Sequence, residues 1–354
     1  MNTTPRQRVM SSLRHTVPET IPAYVNNVVN CDAYLSYFGV SNRDGLLERL
    51  GNCMVNYAPK HRTIDETRLS RSASSSIWGV SEDMYMTYSD TVPRPFADAE
   101  TAADVDRFPW PQGNDWDFRE LRDRLAADKT HARLSNRWEP VFSRLCEMFG
   151  METAMVNLYT NLPVIEAALA RLEAYYDSYF ERLLATCGGV LDVFGLGDDF
   201  ACNTGLLIPV HLWRRLFLPL YAKWLGMAKT KGLPTLMHSC GRIVEVLPDL
   251  IDDGLDAWET VQTHLPGQEP ADLKRRFGAH LAFVGGIDTT HLLGRASAQE
   301  VRHHVELQIR ELAEGGGYVC APDHTIMAEV PPENVDALYG ACAAFRAAGY
   351  TTAT

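Results

Sequence analysis

From about residue 134 the chain alternates short apolar runs with longer stretches in which apolar residues recur every three or four positions. The runs are Thr153–Tyr159, Val190–Gly197, Pro234–Cys240, Ala257–Gln262, Leu281–Ile287 and Gly317–Pro322. Each predicts a strand. The stretches Pro163–Ala185, Pro209–Lys231, Ile243–Asp253, Asp272–Phe277 and Ala298–Ala313 predict amphipathic helices. Gly241, Gly254, Gly278 and Gly315–Gly317 sit at the junctions, where helices start and end. Strands alternating with helices at this spacing imply parallel pairing with helices covering the sheet.

The first third is less regular. Thr4 as cap, Pro5 in the first turn and the apolar stripe of Val9 and Leu13 predict a helix over residues 5–14. Ile21–Val25 predicts a short strand, and residues 117–129 a polar helix. Residues 30–115 hold a helix near Asp44–Leu50, a polar stretch at Ser70–Ser76, Trp78-Gly-Val80, Pro93–Pro95, Ala97–Thr101 and Phe108–Pro111. They are expected to form excursions and lids on a core. With the strand near residue 21 and one more between 78 and 140, about eight strands result. The expectation is α/β, one domain over residues 1–354, folded as a (β/α)8 TIM barrel, which takes ~250 residues plus insertions. A doubly wound open sheet is the rival, but no Gly-x-Gly-x-x-Gly follows an early strand.

Composition narrows the function. A 46% hydrophobic and 22% charged chain of 354 residues is that of a globular protein with a sizeable core. No window suits a membrane span, and the start lacks the apolar core of a signal peptide, so a cytoplasmic location is expected. The net charge of −12, from 45 acidic and 33 basic residues, argues against nucleic acid as a partner and disfavours a polyanionic substrate. The eight cysteines, at 31, 53, 146, 187, 202, 240, 320 and 342, show no compact disulfide framework and are expected to be thiols, mostly packed.

In such barrels chemistry lies at the C-terminal ends of the strands. Here those ends carry Asp198 and Asp199, then His238 and Cys240, Gln262, Asp288, and finally Cys320, Asp323 and His324. His238 and Cys240, two apart, would project to one face, a two-ligand start for zinc. Each residue also has a plainer role. The aspartates serve as turn and helix caps, Gln262 serves a buried backbone group, and Cys320 is equally a packed thiol. His303 and His304 fall on a solvated helix face.

Taken in order, Gly197-Asp-Asp199, Gly205–Pro209, His238-Ser-Cys-Gly241, Leu247–Ile251, Val261-Gln262, Leu273–Gly278, Gly285-Gly-Ile-Asp288, Gly315–Tyr318, Pro322–Ile326 and Pro331–Asn334 resemble the uroporphyrinogen decarboxylase superfamily. That superfamily includes decarboxylases and zinc-dependent corrinoid methyltransferases. The arginine-bearing Met-Arg-Gln-Ala-Gly-Arg signature of the true decarboxylases is missing, since no arginine lies between Arg14 and Arg43. The resemblance therefore favours the methyltransferase branch. It implies zinc held by His238, Cys240 and a third ligand, either His324 or Cys320. A corrinoid (cobamide), carried on a partner protein, is then methyl donor or acceptor for a small substrate. Asp199, Asp288 and Gln262 are expected to orient substrate or carry protons. Trp78, Trp258 and Asp198 are expected to face substrate and corrinoid. A homodimer is left open. The alternatives are a cofactor-free decarboxylase of a smaller acid and a corrinoid- or metal-binding accessory protein.

Overall fold

Period-two burial along the central strands sorts their side chains into two layers. Leu236, Ala257, Ala282, Val284, Val319 and Ala321 form an inner cluster, whereas Met237, Trp258, Phe283, Tyr318 and Cys320 join the larger outer one. Successive strand side chains point to opposite faces, so a sheet closed on itself has a lumen side and a helix side. The computed structural model describes residues 3–29, 31–63, 77–78 and 94–345. Its central strands are β1 Met54–Asn56, β2 Ala132–Leu134, β3 Phe194–Gly197, β4 Thr235–His238, β5 Ala257–Val261, β6 Ala282–Ile287 and β7 Tyr318–Pro322. β3 to β7 pair in parallel in chain order, as do β1 and β2. A parallel bridge from Leu134 to Val193 joins the two groups, and Ala23 bridges both Asn52 and Cys320. Residues 21–25 thus act as the strand that closes the ring, with Cys53 N donating to Ala23 O at 2.8 Å and Cys320 N to Pro22 O at 2.9 Å. The fold is the expected (β/α)8 barrel.

The helix Pro5–Leu13 begins at Thr4, whose side chain accepts from Gln7 N. It sends Val9 and Leu13 into the inner cluster. The amide of Gly317, just before β7, donates to Ser12 O at 3.1 Å, so this helix plugs the N-terminal end of the barrel. The opposite, C-terminal end is left for chemistry.

Two expectations are corrected. Thr153–Tyr159 lies in the helix Met151–Thr160. Its buried Ala154 and Leu158 are four apart, the helical repeat, while Val156 and Tyr159 are exposed. The missing strand is β1, inside the region expected to hold only excursions. That region also supplies the helices Cys31–Phe38 and Arg43–Arg49. Ser70–Ser76, Val80 and Pro93 lie outside the described residues.

Asp192, ahead of β3, ties the plug to the barrel wall. It accepts from Arg6 Nη2 at 2.5 Å and Arg133 Nε at 2.9 Å, and Arg133 is buried. Burial disfavours its charge, but Arg133 and Arg6 outweigh this and hold its carboxyl below the usual range. The stabilisation is therefore present above the ordinary carboxylate pKa and lost as pH falls through the lower, folded value. Asp192→Ala leaves a buried guanidinium without its carboxylate. In urea unfolding at neutral pH it is expected to cost about 3 kcal/mol.

Candidate metal centre at the C-terminal mouth of the barrel

His238 ends β4 opposite Gly197 of β3 and Glu259 of β5. Only glycine fits at 197, because a Cβ there would lie 1.9 Å from the Arg137 carbonyl oxygen. The chain then turns at Gly241, with φ +84 and room for no Cβ, since one would lie 2.8 Å from the Ala201 carbonyl carbon. Gln262 Oε1 accepts from Gly241 N at 2.6 Å, and Asp199 Oδ1 accepts from Cys240 N at 2.8 Å. These two bonds fix the turn that carries Cys240.

Three different donor atoms converge there. His238 Nε2 is 3.8 Å from Cys240 Sγ and 3.9 Å from Asp199 Oδ1, and all three atoms lie within 4.8 Å of one another. Ligands ~2.0–2.3 Å from one tetrahedral ion stand roughly 3.3–3.8 Å apart, so oxygen, nitrogen and sulfur are spaced for zinc. Behind the imidazole, Nδ1 is buried without a hydrogen-bond partner, 3.7 Å from Glu259 Oε2. Glu259, 1% exposed, pairs with Arg137 Nε at 3.0 Å. Arg137 also reaches the Tyr24 hydroxyl at 3.4 Å and Asn26 Oδ1.

The electrostatics favour a cation. Burial opposes charge on His238, yet Cys240 and Glu259 outweigh it and push the imidazole up to about 10. Glu259 is buried too, but Arg137 and His238 hold its carboxyl below the usual range. Glu259 is matched by Arg137, which leaves the Asp199 carboxylate and the Cys240 thiol facing the imidazole. The donor set and the Glu259 carboxylate behind His238 fit zinc, with neutral imidazole bound through Nε2.

Several expected site residues lie elsewhere. Cys320 lies outside the three-donor group. It points to the helix side of β7, its flanking residues Val319 and Ala321 being the inward ones. His324 is exposed and outside the three-donor group. Asp199 supplies the third donor atom of the group. Asp198 does not face a ligand: it is fully buried. It accepts from the amides of Val141, Phe142 and Ser143 and from the Tyr221 hydroxyl, holding the start of the helix Phe142–Phe149. Trp258 is on the outer side of β5, with Nε1 donating to Ser239 O at 3.0 Å. Trp78 is 1% exposed, packed edge-on to Tyr175 beneath the Arg144 guanidinium. Neither indole offers a face to a corrinoid. Asp288 accepts from the Thr290 and His291 amides and from His291 Nδ1. Gln262 serves a backbone amide, the plainer of its two expected roles.

Glu259 and Arg137 went unread in the sequence. For Glu259 the signal existed: a carboxylate inside the apolar run Trp258-Glu-Thr-Val261, at even spacing from Ala257 and hence on the lumen side. Arg137 follows a strand of three residues, too short to carry a pattern.

The family model "Uroporphyrinogen decarboxylase (URO-D)" matches residues 141–345, which include β3 to β7 and the three donor residues. The chain belongs to the uroporphyrinogen decarboxylase family. No curated protein matches the sequence. Among solved structures, a methyltransferase from Methanosarcina mazei superposes with a TM-score of 0.65 at 17% identity, covering 96% of this chain and 98% of that one. At that identity the likeness speaks for the fold. It extends the family architecture over the N-terminal strands that the family model leaves out.

Glu139, two residues beyond Arg137, accepts from Asn136 Nδ2 at 2.6 Å. Burial pushes its carboxyl from the ordinary 4.5 up to about 7. An acid so raised favours the folded state while protonated; stability is full below the ordinary value and falls as pH rises through the folded one. In Glu139→Gln the loss of urea midpoint between about pH 5 and about pH 8 is expected to shrink. A loss as large as in the parent protein would show that Glu139 is not its source.

Proposed function

We propose that this family member is a zinc-dependent methyltransferase that moves a methyl group between a small substrate and a corrinoid carried by a partner protein. The observation that carries this reading is the convergence of Asp199 Oδ1, His238 Nε2 and Cys240 Sγ at the barrel mouth. These three residues would hold the ion. Zinc supplies a Lewis acid that activates a substrate heteroatom for methyl exchange at neutral pH.

The chain's own groups prepare that chemistry. Glu259 faces His238 Nδ1 and favours the tautomer that leaves Nε2 free as a ligand. Arg137 neutralises Glu259, so a carboxylate persists in a buried place. Thr260 Oγ1, 3.4 Å from Cys240 Sγ, is close enough to orient the thiol. Gln262 and Gly241 set the turn. Arg137 is the basic residue of this network and is committed to Glu259, which leaves it poorly suited to bind an acidic substrate. That, with the missing N-terminal arginine signature, weighs against porphyrinogen decarboxylation. The M. mazei neighbour is a methyltransferase, which is in keeping with the proposal.

Purified protein is expected to carry one zinc at this centre, lost in Cys240→Ser and Asp199→Ala but kept in Cys320→Ser and His324→Ala. Glu259→Gln is expected to weaken zinc affinity about 10- to 100-fold, as loss of an outer-shell carboxylate does. Methyl transfer is read from the cobalt spectrum when cob(I)alamin or methylcobalamin is mixed with methylated thiols, methylamines or methoxy compounds. A Cys240→Ser protein that binds as much zinc as its parent overturns the ligand assignment. Carbon dioxide release by metal-free protein would favour the decarboxylase alternative.

A further inference from the structure

A second group of ligand-type side chains lies at the same end of the barrel, after the next three strands. His264 follows β5, Asp288 and His291 follow β6, and Asp323 follows β7. His264, Asp288 and His291 each offer one atom within 4.8 Å of the others. Asp288 Oδ2 lies 2.9 Å from His291 Nδ1 and 3.8 Å from His264 Nδ1. Asp323 Oδ2 is 3.2 Å from the same His264 nitrogen.

The two carboxylates are prepared alike. Asp288 Oδ1 is taken by the amides of Thr290 and His291, at 2.8 and 2.9 Å. Asp323 Oδ1 is taken by the amide and hydroxyl of Thr289, at 3.0 and 2.9 Å. The second oxygen of Asp288 is turned to both imidazoles, and that of Asp323 to the His264 imidazole. Asp323 is 1% exposed, and its Oδ2 is buried with no hydrogen-bond partner. Its close polar neighbour is the His264 nitrogen at 3.2 Å, so this buried oxygen depends on a positive charge at the imidazoles or between them. The helix-capping role of Asp288 explains its Oδ1 but not the approach of its Oδ2 to two histidines, nor that of Asp323 Oδ2 to one of them.

From this arrangement we infer a second metal site, formed by His264, Asp288, His291 and Asp323, that takes a first-row divalent cation. Two carboxylates balance the charge of a divalent ion, and imidazole with carboxylate suits borderline metals of that row. His291 is the most exposed of the four side chains, at 63%, and leaves the site open on the solvent side for loading. The site contains no sulfur, which separates it spectroscopically from the Cys240 centre.

Cobalt(II) tests this on the full chain after metal removal. The parent protein is expected to take up two equivalents, one giving a near-ultraviolet thiolate-to-cobalt band and the other only visible ligand-field absorption. His264→Gln should lower the count from two to one and keep the thiolate band. Cys240→Ser should remove the band and keep the other ion. If the parent binds one ion without the thiolate band and His264→Gln abolishes it, the second site stands and the proposed zinc centre fails. His291→Gln, at an exposed position, serves if His264→Gln does not fold, and should weaken the sulfur-free ion at least tenfold. A parent protein whose only cobalt shows the thiolate band, or binding unchanged in these variants, overturns the inference and leaves proton-sharing His–Asp pairs.

Discussion

Closure of the parallel ring at Ala23 is the constraint on which the rest of the molecule depends. One residue pairs forward to Asn52 beside β1 and back to Cys320 in β7. An open sheet would leave strand edges to cover and no separate lumen. Once the ring is closed, each strand sends alternate side chains inward. The plug of Val9 and Leu13 seals one end, so polar side chains gather at the other.

Parity then decides what enters the mouth. Leu236 and Ala257 line the lumen, and the inward series continues to His238 and Glu259, which stand opposite each other. Met237 and Trp258 are turned into the helix layer by the same rule. Buried charge at this end is tolerated because it is matched in sequence. Arg137 answers Glu259, Glu259 faces His238, and His238 meets Cys240 and Asp199. Asp198, beside Asp199, spends its own charge on three helix amides and a tyrosine hydroxyl, which keeps the neighbouring backbone still.

A barrel fold supports many chemistries, and function has to be argued from the site grafted onto it. Here membership of the uroporphyrinogen decarboxylase family defines the scaffold, while the proposed activity rests on three donor atoms. The acidic balance of the chain fits a mouth that gathers cations better than one that receives a polycarboxylate. Both candidate metal groups follow the same construction. Each joins side chains from the ends of neighbouring strands, with an aspartate that also accepts from a backbone amide.

The sequence by itself determined the architecture and the rim on which polar groups collect. Both follow from local periodicity: apolar runs bounded by glycine, helical stripes between them, and polar residues where the runs stop. Pro234–Gly241 was legible as a strand ending in two ligand-type side chains because their spacing is a property of one strand. It misjudged Thr153–Tyr159, where a few apolar residues suit either period, and missed β1, three residues long. Which third residue joins His238 and Cys240 was decided only by the tertiary structure. Asp199 follows β3 whereas His238 and Cys240 belong to the end of β4, and their meeting depends on register across the two strands. Cys320 and Trp258 read as mouth residues until strand parity turned them outward. His324 follows the last strand in sequence but does not join the group in space. Such choices depend on the direction of a side chain in a closed ring, which no stretch of sequence carries locally.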